Sequence, residues 1–307
     1  MRVLAHIHTY NDADIIDRTI EAVRQQTRPV DGILVVDNAS ADATLNQPSI
    51  KYAKVLRHQE NLGTSGTVIT GMQFALDHGY DWIWLFDADS IPDPDALERL
   101  LGLYADLPPS AQDETGFLAC LPRDHRDGRP HHGQLFVQRG IEIVAPPSQV
   151  GHYPCHITIW SGSLHRLAAV SRIGLPNPDY VLDWGETEYA YRVMKAGYKG
   201  YMHQDSVLRH NTRGEPSLKK HKIKVGPAKI VFFEFPAIRC YYMCRNAFYF
   251  VLYDAAETRF RLTCVYGIQM LFFASTFVMR PLKHRKQIQA CILGIWHGLT
   301  GNITARY

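Results

Sequence analysis

The chain has 307 residues, 46% of them hydrophobic and 21% charged, with a formal net charge of +3. That is enough for one large domain, or one domain plus a substantial appendage. Disorder, a collagenous repeat and a small disulfide-stapled scaffold are excluded: apolar residues run throughout, and the six cysteines form no CxxC pair. The sparse cysteines make a reducing compartment the expectation, and the opening MRVLAHIHTYND does not read as a secretory signal.

The first hundred residues alternate in period. Residues 2–8 form a short apolar segment, and 15–26 a helical stretch with Ile16, Ile20 and Val23 on one face. Residues 32–36 and 82–86 are continuous apolar runs, as expected of strands buried on both faces, and 54–57 is a further short strand. A glycine-containing loop at 61–66 leads into a helix over 67–78, and another helix is expected at 92–101. This alternation predicts an α/β fold with a mostly parallel sheet flanked by helices. From 108 to 154 proline and glycine break the pattern into connecting strands and loops. Order resumes at 156–160 and 164–173, and a helix over 187–196 stops at Gly197. Residues 212–226 read as a basic loop, and the chain from Phe232 onward as helical.

In parallel sheets ligands bind beyond the carboxyl ends of the strands, which sets Thr9, Asp37, Asp87 and Asp89 on one rim. Asp87-Ala88-Asp89 leaves an apolar strand with two carboxylates at the point where burial ends. Hard divalent cations take such oxygens and complete their shell with phosphate, although the same acids could simply open the next helix. Asp37 could bind a nucleobase or ribose, or close an Asx turn. A third acidic cluster is Asp183-Trp184-Gly185-Glu186-Thr187-Glu188. Acids at a helix start gain ~0.3–1 kcal/mol from the dipole. A tryptophan among them suits sugar stacking, and a carboxylate there suits general-base chemistry.

The series Thr9-Tyr10-Asn11, Val36-Asp37-Asn38-x-Ser40-x-Asp42, Asn61-Leu62-Gly63, Asp87-Ala88-Asp89, Ser161-Gly162-Ser163 and the Glu186 cluster resembles the family 2 glycosyltransferases of the GT-A fold. It is most similar to bacterial rhamnosyl- and galactofuranosyltransferases, through His210 and on to Tyr242-x-x-Arg245-Asn246. The resemblance implies that Thr9, Asp37, Asn61, Gly63 and Asp87 bind the nucleotide sugar. It likewise implies that Asp87, Asp89 and His210 hold Mn²⁺ or Mg²⁺, and that Glu186 is the catalytic base. Trp160, Ser161, Gly162, Asp183 and Trp184 would border the acceptor and sugar. The implied reaction is an inverting transfer from dTDP-rhamnose or a UDP-sugar such as UDP-galactofuranose to a surface glycan or lipid-linked acceptor. A catalytically idle sugar- or lipid-binding scaffold is the alternative. No first-strand Gly-x-Gly-x-x-Gly turn for a dinucleotide, no glycine-rich triphosphate loop and no zinc-spaced Cys/His set is present.

Charge divides the chain. Residues 1–198 carry 16 Lys and Arg against 25 Asp and Glu, and residues 199–307 carry 17 against 5. Residues 263–279 are uncharged and flanked by Arg259 and Arg261 before and by Arg280, Lys283, Arg285 and Lys286 after. At 17 residues this stretch is at the lower limit for a bilayer span, and it suits an in-plane membrane helix better than a span or a core helix. The expectation is a GT-A catalytic domain over 1–226 and a helical, basic, membrane-associating extension over 227–307. The enzyme would be cytoplasmic, peripheral on the inner face of the plasma membrane, and without a nucleic-acid partner. Homo-oligomer formation stays open.

Overall fold

The computed structural model describes residues 1–137, 140–144, 151–210, 220–225, 228–233, 235–255 and 284–307. They divide into two compact units: residues 1–136, 141–178 and 189–214, and residues 137–140, 179–188 and 215–307.

The first unit begins with β1 (Val3–Thr9), α1 (Ile16–Arg24), β2 (Gly32–Asp37), β3 (Lys54–Arg57), α2 (Gly63–Asp77), β4 (Trp82–Asp87), β5 (Ile91–Pro92), α3 (Ala96–Asp106) and the short α4 (Pro109–Asp113). It continues through β6 (Thr115–Asp124), β7 (Gln134–Val137) and β8 (Gly140–Ile143), whose facing ends at 137 and 140 fall in the second unit, then β9 (His152–Cys155), β10 (Ser163–Arg166) and α5 (Leu167–Ile173). The unit boundary falls within α6 (Gly185–Lys195), and β11 (Lys199–His210) completes the sheet.

The nine strands run in the order β3-β2-β1-β4-β10-β6-β11-β5, with β9 also on β11. β1, β2, β3, β4, β6 and β11 share one direction, so the expected mostly parallel sheet is present, with β10 antiparallel between β4 and β6. Strand alternation covers both faces. Trp82, Trp84 and Phe86 of β4 join the cluster under α1 and α3, while Ile83 and Leu85 join the one under α2 and α5. Each face is thereby sealed from water, which requires the uninterrupted apolar runs that the sequence shows.

Three boundaries differ from the sequence reading. Helix α2 starts at Gly63, four residues early, because Asn61 Oδ1 accepts the Gly63 N–H at 2.9 Å and satisfies a first-turn donor. The helix expected at 92–101 starts instead at Ala96, since Ile91 and Pro92 pair with Arg209 and Leu208 of β11. The stretch read as loosely connected contains β6, a ten-residue strand lying between β10 and β11.

The same alternation puts His6 of β1 on the α2 side, fully buried, where neither ring nitrogen finds a hydrogen-bond partner. Gly71 of α2 accommodates it: a Cβ there would lie 2.3 Å from His6 Cδ2. Burial, with a smaller contribution from His8, pushes the His6 pKa down to about 3, and burial alone does the same to His165. Between pH 6.5 and 3 the unfolded chain therefore binds more protons, so stability falls as pH drops. From pH 7 to pH 5 each histidine costs about 2 kcal/mol. Urea unfolding of His6→Met should show an acid limb shallower by one histidine, and an unchanged limb would refute this account.

The second unit contains β12 (Lys220–Val225), β13 (Ala228–Phe233), α7 (Ala237–Tyr249), a π-helical turn over Phe250–Asp254, and α8 (Arg285–Leu299). β12 and β13 pair antiparallel, Lys222 opposite Val231, where a basic loop was expected. The period-2 alternation of lysine with His221, Ile223 and Val225 is a strand pattern. Regular helix accordingly begins at Ala237 rather than Phe232, while 211–219 and 226–227 lie outside the described residues. So does the apolar stretch 263–279, with its flanking Arg259, Arg261, Arg280 and Lys283. Among the described residues no helix is long and apolar enough to cross a membrane.

α7 and α8 meet at backbone distance. A Cβ on Gly294 would lie 2.4 Å from the Tyr241 carbonyl oxygen, and one on Gly298 2.6 Å from that of Arg245. Gly294→Val must separate the helices and should destabilise the protein by about 1–3 kcal/mol, read as a lowered thermal midpoint. An unchanged midpoint would contradict this packing.

Candidate functional site

Register assembles the rim of the first unit. Thr9 pairs with Asp37 and His8 with Asp87 across three parallel strands, so the carboxyl ends of β1, β2 and β4 finish side by side. Asp37 is fully buried; its carboxylate accepts the Ser40 N–H at 3.2 Å and meets Arg57 Nε at 3.1 Å. Thr9 donates its hydroxyl to Asp12 at 2.8 Å. Asn38 ties the next segment to this rim, donating to Asn61 Oδ1 at 2.8 Å and accepting the Leu62 N–H at 2.9 Å. Thr9, Asp37, Asn61 and Gly63 are thus joined by one hydrogen-bonded system at the ends of β1 and β2. Left-handed backbone at Asn11 (φ +58°) and Ala39 (φ +68°) shapes the two loops, and Asn11 bridges them through Ser40 and Ala41.

Asp87 Oδ1 lies 3.1 Å from His8 Nε2, and the Asp87 N–H donates to Ser161 Oγ at 3.1 Å. From the far side, β11 delivers His210, whose Nδ1 is 2.8 Å from Ser90 Oγ and 3.6 Å from Asp87 Oδ2. Asp87, Asp89 and His210 offer ligand atoms that all lie within 4.8 Å of one another, and all three are half-buried. Two carboxylates and an imidazole suit a divalent cation of the Mn²⁺ type, with room left for phosphate oxygens. His131 stands edge-on to His210 at 6.4 Å, and its pKa is lowered by burial first and by His210 second. The cavity lined by Tyr80, Trp82, Tyr104 and Arg166 lies at the opposite end of β4 from this rim.

The acidic segment 179–188 belongs to the second unit. Asp183 (φ +58°) and Trp184 (φ +69°) are consecutive left-handed residues, each costing about 1–3 kcal/mol outside glycine. α7 holds them there. Asn246 donates to the carbonyls of both Leu182 and Asp183 at 2.9 Å, and Arg245 donates to the carbonyl of Asp179. Arg239 grips the Asp183 carboxylate with Nε at 3.1 Å and Nη2 at 2.8 Å. Burial opposes the Arg239 charge, but Asp183, with Glu186 also near, keeps its pKa above the ordinary arginine value. The chain then enters α6, with Glu186 half-buried in the first turn and Glu188 buried.

The structure places the five residues of the acceptor-bordering expectation as follows. Trp160 is buried in the core against His165 and Tyr189, and Ser161 is buried and engaged with Asp87. Asp183 is engaged by Arg239, and the Trp184 ring packs on Phe250 at 5.8 Å. Gly162 (φ +83°) has no space for a side chain, since its Cβ would lie 2.9 Å from Leu208. Residues that the sequence reading did not single out include His8, Ser90, Arg57 and Arg239. For His8 the strand parity was a usable signal; for Arg239, 56 residues from Asp183, none was.

Residues 5–115 match the family model for glycosyl transferase family 2. The chain is 36% identical to an undecaprenyl-phosphate mannosyltransferase of Micrococcus luteus over 106 residues, 33% of this chain and 43% of that protein. It is 26% identical to the galactofuranosyltransferase GlfT1 of Mycobacterium tuberculosis over 209 residues, 64% of this chain and 65% of that protein. The chain thus spans less than two thirds of the length of these relatives. Among solved structures, Staphylococcus aureus TarS 1-349 in complex with UDP superposes with a TM-score of 0.59 at 13% identity, covering 99% of this chain and 88% of that one. The mannosyltransferase PcManGT from Pyrobaculum calidifontis, in complex with GDP-Man and Mn²⁺, gives 0.56 at 17% identity, covering 97% and 87%.

Proposed function

We propose, from the match of residues 5–115 to glycosyl transferase family 2 and the GT-A-like fold, that the chain is a metal-dependent, inverting glycosyltransferase. Its donor is a nucleotide diphospho-sugar, dTDP-rhamnose or a UDP-sugar such as UDP-galactofuranose. Its acceptor is a hydroxyl of a cell-surface glycan or lipid-linked saccharide. The observation that carries this reading is the convergence of Asp87, Asp89 and His210 at the carboxyl end of β4, beside Thr9 and Asp37.

Asp87, Asp89 and His210 are the residues that would hold Mn²⁺ or Mg²⁺, which supplies Lewis-acid neutralisation of the charge growing on the leaving diphosphate. Thr9 and Asp37, with Asn61 and Gly63 behind them, take the base and ribose. Glu186 accepts the proton of the acceptor hydroxyl as its oxygen bonds to the anomeric carbon. The bond from that carbon to the diphosphate oxygen breaks on the opposite face, giving inversion in one step. Of the acids in this segment, Glu188 is buried whereas Glu186 is half-buried in the first turn of α6, which favours Glu186 for this role. Gly162, Trp160, Ser161, Asp183 and Trp184 then support the acceptor side chiefly by fixing backbone. A lipid-linked acceptor calls for an enzyme in the cytoplasm, peripheral on the inner face of the plasma membrane, with the basic C-terminal region toward the lipid.

Calorimetric titration with a panel of nucleotide sugars in the presence of Mn²⁺, followed by assay of nucleoside diphosphate release, tests the reading. Binding of one donor with metal-dependent release is expected. Donor binding with no turnover under any acceptor condition would favour the idle scaffold instead.

A further inference from the structure

We propose that the solvent-facing side of α8 is a docking surface for an anionic lipid bilayer, with the helix lying in the plane of the membrane. The helix inverts the usual distribution of size. Toward α7 it presents Ala290, Cys291, Gly294 and Gly298, all buried. Toward water it presents Ile292, Leu293, Trp296 and Leu299, exposed by 63, 39, 62 and 47%. An ordinary surface helix buries its large apolar side chains and exposes small or polar ones. Here the close approach at Gly294 and Gly298 leaves no room for large side chains on the inner face. The apolar bulk has therefore been placed on the outside, where it is favourable only against another apolar phase.

Charge identifies that phase. Arg285 and Lys286 are exposed in the first turn of α8. From residue 258 to residue 307 the chain contains seven Lys and Arg and no Asp or Glu. An apolar strip of Ile, Leu and Trp beside cations with no intervening acid is the composition of an interfacial helix on anionic headgroups. Tyr253, 46% exposed, donates its hydroxyl to the Leu299 carbonyl at 2.9 Å and adds a second amphipathic aromatic at the end of the strip. A second copy of the chain fits less well, because this segment offers no carboxylate to the cations of its partner. The inference deepens the lipid-linked-acceptor reading and rests on it for the purpose of the surface.

The test uses the full chain and sedimentation with vesicles of phosphatidylcholine alone or mixed with phosphatidylglycerol, alongside nucleotide-sugar binding in the same preparation. Wild type should bind the anionic vesicles roughly tenfold or more tightly than the neutral ones, and less tightly as salt rises. The double variant Ile292→Ser/Trp296→Ser should lose roughly tenfold or more of that binding, as should Arg285→Glu/Lys286→Glu, with donor binding unchanged in both. Brominated lipid should quench tryptophan fluorescence in wild type and lose most of that effect in Trp296→Phe. Unaltered vesicle binding in both double variants would overturn the proposal. So would sedimentation equilibrium showing a dimer that Ile292→Ser/Trp296→Ser dissociates, or a Trp296 already shielded from aqueous acrylamide in the lipid-free monomer. Failure of donor binding with vesicle binding intact counts against the transferase reading alone.

Discussion

Replacing Asp89 by asparagine is expected to abolish Mn²⁺ binding at the rim of the sheet and to reduce transfer by about 10³-fold. The substitution keeps the shape of the side chain and removes one of two carboxylate charges that stand, with His210, within 4.8 Å of each other. A divalent cation held by three protein groups loses both charge and a donor, and its Lewis-acid contribution of several kcal/mol disappears with it. His210→Ala should weaken the metal in the same direction, since β11 delivers that imidazole to the carboxylates and Ser90 fixes it through a 2.8 Å contact. Mn²⁺ titration followed by calorimetry reads both variants without depending on activity. Exhaustive chelation of wild type should reproduce the loss, and added Mn²⁺ should restore it. Wild-type metal affinity in Asp89→Asn, or full turnover after chelation, would remove the three residues from the metal role.

How much of this site could be read beforehand depends on whether the information was local. Continuous apolar runs fixed β1, β2 and β4, and the residues at their ends fixed Thr9, Asp37 and Asp87 as neighbours, because parallel strands in one sheet finish on one side. His210 entered through resemblance, and its proximity to Asp87 depends on the pairing of β11 with β5 and β6, contacts spanning more than 80 residues of sequence. β10 lies antiparallel between β4 and β6 although it follows both in sequence, an order that no periodicity reveals. The lysine-alternating β12 was a different kind of miss: its period-2 pattern was visible, but its charge outweighed its periodicity in the reading. The role of α7 was only partly visible: Arg245 and Asn246 entered through the resemblance without a stated role, and Arg239 did not enter at all. In the structure Arg245 and Asn246 hold the backbone of 179–183, and Arg239 holds the Asp183 carboxylate.

Glu186→Gln should lower turnover by about 10²–10⁴-fold while leaving nucleotide-sugar affinity within roughly twofold of wild type. The amide keeps the size and hydrogen-bonding reach of the carboxylate but has no basic oxygen to take the acceptor proton. The loss should therefore fall on kcat with little change in donor KM. Position argues for this residue over its neighbours. The segment before it is bent by two left-handed residues, and that strain persists because Asn246, Arg245 and Arg239 each hold a different part of it. α6 thus starts at a fixed point, with Glu186 in its first turn, so the position of its carboxylate is set by the held segment before it. Arg239→Gln provides the companion measurement. It leaves Glu186 in the sequence but frees Asp183, so kcat should fall by a smaller factor, about tenfold, with donor affinity retained, and Arg239→Lys should recover part of the loss. Near-wild-type turnover in Glu186→Gln would exclude Glu186 as the base. An equal loss of donor affinity in that variant would mean that the substitution had disturbed the donor site rather than the proton transfer.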